Sequence, residues 1–275
     1  MLKDITLGQY FPGNTVIHRL DPRIKLIITI LYIVALFMAE SYISYGIMLV
    51  WLILEIVISK IKLKSLFRGL KPIIIIVIIT GILNLFFTQG EPIAELFWGL
   101  TITKEGIRAA CFIIIRIIML LAGTFLLTYT TSPLMLTDGM ELLLNPLNKI
   151  RIPVHELAMM MSIALRFIPT LIEETDKIMN AQKARGADFE SGNILKKAKA
   201  MVPILVPLFI SAFRRADELA VAMECRCYHG GENRTRMRQL KTTNIDYISV
   251  GIFLLVTAGI ICLRFVHIPY LDLIS

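Results

Sequence analysis

Apolar residues follow two different rhythms along this chain. In five stretches, at about 26–40, 43–59, 72–88, 106–130 and 246–266, they run almost without interruption. Runs close to the roughly 20 residues that cross a bilayer predict membrane-spanning helices; the first is short, and its limits are soft. Between the fourth and fifth stretches the rhythm changes. From His155 to Arg185, Leu157, Met161, Ala164, Leu165, Ile168, Leu171, Ile172, Ile178 and Met179 recur every three or four residues, while Glu156, Arg166, Glu173, Glu174, Asp176 and Lys177 interrupt any span. That spacing predicts an amphipathic helix of about 30 residues, roughly 45 Å long. A turn-like Asp188 to Asn193 leads to a second stripe of Leu195, Val202, Leu205, Val206, Phe209, Phe213, Ala216, Leu219 and Met223, interrupted by Arg214, Arg215, Asp217 and Glu218. A third, shorter helix is expected over about Ser132 to Lys149, opened by Ser132-Pro133 and broken at Pro146. Pro169, Pro203 and Pro207 are expected to bend the long helices or mark their boundaries.

Composition agrees with the first rhythm. The 275 residues are 56% hydrophobic, and the mean hydropathy is +0.71. The expected class is an all-α polytopic membrane protein with about five transmembrane helices. It divides into residues 1–131 with an N-terminal segment and four spans, 132–241 as a cytoplasmic block of amphipathic helices, and 242–275 with the last span. A net charge of +8 invites nucleic acid as a partner, but the positions of the charges argue against it. Lys60, Lys62, Lys64, Arg68 and Lys71 crowd one interspan loop, whereas Glu91, Glu95 and Glu105 face Lys104 alone in the next. The positive-inside rule makes the first loop cytoplasmic. Arg19, Arg23 and Lys25, and the many Lys and Arg between 149 and 241, then share its side, with the N-terminus inside and the C-terminus outside. Residues 1–25 hold Gly8, Pro12, Gly13 and Pro22 and no apolar core, so insertion is expected through the spans themselves. Asp21-Pro22-Arg23 reads as a helix start, with Asp21 as N-cap and Pro22 in the first helical position.

Candidate chemistry is sparse. Cys111 and Cys262 lie in apolar spans, so no disulfide framework is implied. Cys225 and Cys227 with His229 suggest metal ligands, but positions i and i+2 of a helix point about 200° apart. No metal and no catalytic residue is expected: His18, His155, His229 and His267 are scattered, which argues against an intramembrane enzyme. A permease with its own substrate path is the alternative, but beyond Asn84, Arg116 and some hydroxyls few polar groups lie at mid-membrane. Arg116 is a functional candidate by its depth, with no partner evident; Glu55 lies nearer the cytoplasm, and Arg108 is expected to snorkel outward.

The two long helices both finish on a small-Arg-small triplet, Ala184-Arg185-Gly186 and Cys225-Arg226-Cys227. Two readings stand side by side. A cation in the last turn is favoured by the helix dipole alone; alternatively, small neighbours leave the guanidinium free to meet a partner. With Tyr10-Phe11-Pro12-Gly13-Asn14, His18 to Lys25, Arg166-Phe167-Ile168-Pro169 and Tyr228 to Arg236 in the same order, the chain resembles the transmembrane T component of energy-coupling factor transporters, the CbiQ-like family. The pattern covers most of the chain and departs from the family where Cys225 and Cys227 replace Ala and Gly.

The resemblance implies a non-catalytic scaffold of an ABC-type importer in the cell membrane. Its triplet residues Ala184, Arg185, Gly186, Cys225, Arg226 and Cys227 would bind two ATP-binding-cassette ATPases, and the helices would carry their motion to a vitamin- or metal-capturing S component in the bilayer. No cofactor is expected in this chain, ATP and magnesium being held by the ATPases; a Gly-x-x-x-x-Gly-Lys-Ser/Thr phosphate loop is absent from the sequence. Met159, Met160, Met161, Met179, Met201 and Met223 suit surfaces that re-pack, although plain core packing explains any single one.

Overall fold

The computed structural model describes residues 10–39, 41–95, 101–189, 193–230 and 239–265. Their contacts cluster into two compact units, Gly8–Gly139 with Leu240–Ser275, and Met140–Gln239.

The first unit holds the uninterrupted apolar runs. After a single turn, α1 (Val16–Arg19), come α2 (Pro22–Met38), α3 (Tyr42–Ser59), α4 (Leu63–Leu70), α5 (Ile74–Phe87), α6 (Lys104–Thr130), α7 (Pro133–Leu144, which runs on into the second unit) and, from the far end of the chain, α10 (Asn244–Phe265). Asp21 caps α2 through Arg23 N–H at 2.9 Å, with Pro22 in the first turn, as the local sequence predicts. The core is built from Tyr32, Ala35, Leu36, Met48, Leu52, Met119, Ala122, Leu126, Tyr129, Phe253 and Ile260. Outward positions are equally apolar: Val57 is 68% exposed and Leu255 75%, an inversion that suits a lipid solvent. Helices approach closely where glycine allows it. A Cβ on Gly123 would stand 2.5 Å from the Tyr32 ring, whose hydroxyl donates to the Met119 carbonyl at 3.0 Å.

Five helical runs are long and apolar enough to cross a membrane: Tyr42–Ser59, Leu63–Phe87, Lys104–Thr130, Val154–Ala184 and Asn244–Leu263. The set differs in two members from the sequence expectation. The first expected span is α2, whose 17 residues reach only about 25 Å. The run Val154–Ala184 qualifies by composition, yet it is the first of the amphipathic pair. A small antiparallel hairpin, β1 (Pro92–Glu95) on β2 (Thr101–Thr103), joins α5 to α6 and was not expected; Ala94 pairs with Ile102 and Glu95 with Thr101, with an irregularity after Pro92.

The second unit contains the end of α7, a 3-10 stretch Asn145–Ile150, α8 (Val154–Ala184) and α9 (Ile194–Cys225). Pro146 opens the 3-10 stretch, so it tightens the third amphipathic helix rather than ending all helical structure. Pro169, Pro203 and Pro207 lie inside α8 and α9 and mark no boundary. Each removes one i to i−4 hydrogen bond, a loss the surrounding turns of a 31- or 32-residue helix absorb.

Candidate partner-docking ends

Both triplets occupy the same three positions of the same helix-terminating motif. Arg185 is the C-cap of α8 and Arg226 the C-cap of α9. At the first end, Gly186 N–H donates to the Lys183 carbonyl at 2.9 Å and Ala187 N–H to Gln182 at 3.0 Å. At the second, Cys227 N–H donates to Glu224 at 2.8 Å and Tyr228 N–H to Met223 at 3.0 Å. This paired set of hydrogen bonds is the Schellman motif, and it requires the residue after the cap to turn left-handed. Gly186 does so at φ 86° and Cys227 at φ 54°. The backbone therefore gives a reason for glycine at Gly186 beyond the room around the arginine that the sequence suggests, whereas Cys227 takes the same turn with a Cβ.

All six triplet residues are exposed. His229 Nδ1 lies 2.8 Å from the Cys227 carbonyl, which fixes the chain as it leaves the second end. The helices meet through Glu174, which accepts from Ser211 and from Arg215, the latter at 2.9 Å. Arg185 follows Glu174 by eleven residues and Arg226 follows Arg215 by eleven, so two helical arms of about 16 Å run from one ion pair to matched ends. Large apolar residues stay uncovered on the stretches that precede these arms: Val202, Leu205, Val206, Phe209, Ile210 and Phe213 on α9, and Leu157, Met160 and Met161 on α8.

Two features of the first unit went unread in the sequence. The first is a buried polar node. Asp21 N–H donates to Asp246 at 2.8 Å, Asp246 also accepts from Thr243 at the start of α10, and Lys25 Nζ donates to the Thr130 carbonyl at 2.9 Å. Burial pushes the Asp21 carboxyl upward, but hydrogen bonds and charge from Arg23, 2.7 Å away, with help from Lys25, outweigh it and hold the group below the usual carboxylate range. The node ties the starts of α2 and α10 to the end of α6. The second is the partner of Arg116: its Nε donates to the Tyr45 hydroxyl at 2.7 Å and its Nη2 to the Ala39 carbonyl at 3.2 Å. Glu55 is bonded instead by the Trp51 indole N–H at 2.9 Å. Arg108, which the sequence sends outward, lies half-buried over the rings of Tyr42 and Phe112.

With this geometry in view, known proteins agree on a relationship. The family model described as "Cobalt transport protein", CbiQ, matches residues 13–237. The energy-coupling factor transporter transmembrane protein EcfT of Clostridium kluyveri is 57% identical over 250 residues, covering 90% of this chain and 93% of its own. The protein of the same name from Thermosediminibacter oceani is 55% identical over 96% of this chain and 100% of its own. That of Ruminiclostridium cellulolyticum is 51% identical over 97% and 99%. The apolar spans, the paired amphipathic helices and these likenesses along nearly the whole length lead to one conclusion: the chain is a multi-pass membrane protein that belongs to the CbiQ family, with the EcfT transmembrane proteins of energy-coupling factor transporters.

Proposed function

We propose that this chain is the non-catalytic scaffold of an energy-coupling factor importer in the cell membrane, its N-terminus and its second unit, Met140–Gln239, in the cytoplasm. The observation that carries the reading is the pair of matched ends: two exposed guanidiniums, each on a Schellman C-cap and each eleven residues beyond one ion pair. A guanidinium presents five donors in a rigid fork, suited to carboxylates and carbonyls in a protein groove. Two copies of one shape suit two related partners, here a pair of ABC ATPases that hold ATP and magnesium. When the ATPases close, each tip is carried with its groove. Arms of continuous helix pass that displacement on, and the uncovered faces around Phe209 and Met160 offer the S component a surface to slide on.

The test is Arg185→Ala, Arg226→Ala and the double variant. Each single change should cost about 2 to 5 kcal/mol of docking if a partner charge is left buried, lowering ATPase co-purification and uptake together. The double variant should lose both ATPases while keeping its fold, since neither guanidinium makes a fold contact in the described residues. Normal ATPase retention and uptake by the double variant would reduce both arginines to dipole caps.

A second reading, a permease with its own path, draws on one observation. A cavity of about 270 Å³ lies among α1, α2, α3, α6 and α10, lined mostly by apolar side chains with Lys25, Thr29, Glu55 and Thr130. Uptake by the chain alone, without ATPases, would favour it.

A further inference from the structure

The guanidiniums of Arg108 and Arg116 line one groove, and among the described residues neither has a carboxylate within ion-pairing distance. The groove exists because the helices around it differ in length. α2 and α3 have 17 and 18 residues, about 25 and 27 Å, against 27 residues and about 40 Å for α6. Arg116 fixes the level at which the short pair ends, since it binds Ala39 at the close of α2 and Tyr45 in the first turn of α3. From there α6 continues for twelve residues to Lys104, about 18 Å. The shortfall leaves an open recess of about 410 Å³ over Ala39 and Tyr45, walled by Thr88, Glu105, Arg108 and Phe112.

Chemistry inside the recess favours an anion. Arg108 is stacked 5.6 Å over the Phe112 ring and makes no hydrogen bond among the described residues, so its five donors are open. Arg116 has spent two donors on Tyr45 and Ala39. Glu105, whose carboxylate accepts from Glu91 N–H at 2.9 Å, is the one negative group among the described lining residues, and two cations outnumber it. Nearby stretches of α2, α3 and α6 carry exposed apolar side chains: Phe37 is 58% exposed, with Tyr42, Ile43, Ile107 and Ile115 also uncovered. A bilayer meeting helices of unequal length thins over the short ones, which lowers headgroups toward Arg116.

We propose that this recess binds the phosphodiester of an anionic phospholipid, gripped between Arg108 and Arg116, with its acyl chains lying along Phe37, Ile107 and Ile115. In the topology proposed above, the lipid belongs to the outer leaflet.

The full chain, reconstituted in nanodiscs of equal dioleoyl-phosphatidylglycerol and dioleoyl-phosphatidylcholine and then mildly delipidated, should retain phosphatidylglycerol in preference by native mass spectrometry. Arg108→Gln should lower that retention about ten-fold, the equivalent of one charge-assisted contact, while the chain keeps its helical circular dichroism. Glu105→Gln, which leaves both arginines in place, should raise it. Equal retention of the two lipids, or unchanged retention in both variants, overturns the proposal. Displacement of the lipid by millimolar inorganic phosphate also overturns it, because the ligand is then a soluble anion.

Discussion

At the scale of single residues, the second triplet carries a strain that the first does not. Cys227 sits at φ 54° in the position that Gly186 fills at φ 86°. A side chain with a Cβ there costs about 1 to 2 kcal/mol, partly offset because glycine gives the unfolded chain more freedom. Cys227→Gly should therefore raise stability by up to about 1 kcal/mol, and Gly186→Ala should lower it by a similar amount, both read from thermal unfolding in detergent. Asp21 gives a pH-dependent case. Its folded carboxyl is held below the ordinary range, so its contribution is fully present above about pH 4 and is lost as the pH falls through the folded value. Asp21→Asn should cost about 1 to 3 kcal/mol at neutral pH and should remove that part of the acid slope from a stability profile. Residues differ in how far sequence exposes their work. The cap at Asp21 is legible because its chemistry is finished within two residues. Tyr45 and Asp246 are not legible, because their partners lie 71 and 225 positions away. Nor is the left-handed turn at Cys227, since nothing in a cysteine announces it.

At the scale of elements, periodicity located α8 and α9 to within one or two residues, and of the two roles expected for the prolines, marking a boundary is the one the helices do not show. A proline removes one hydrogen bond but leaves the side-chain stripe intact, and over some thirty residues the stripe decides. The hairpin between α5 and α6 escaped notice because its seven strand residues carry no alternating pattern long enough to read. Where the stripes end up also refines the expectation. Phe209 is 61% exposed, so it does not pack within the helix pair, whereas Leu165 is half-buried. Phe209→Asp should leave the chain folded and both ATPases bound while the S component is lost, measured as subunit stoichiometry in the purified complex. Loss of the ATPases with the S component retained would reverse the division between tips and faces.

At the scale of the whole molecule, the side of the membrane on which the long amphipathic helices lie is open to a direct test. In a variant lacking the four native cysteines, single cysteines at Gln89 and Lys197, both exposed, should react with an impermeant reagent from opposite faces. Labelling of both positions from outside would place the amphipathic pair on the wrong side for ATPases. The matched helix ends have a last consequence, in stoichiometry. If the tips dock ATPases as proposed, a single chain that repeats one tip is bivalent toward a paired partner, and the second tip would dock at an effective concentration set by the two short arms. Grip on the pair would then exceed the grip of either arginine, one chain would suffice for two motors, and a motor that lost its own contact for a moment would be held in place by its twin.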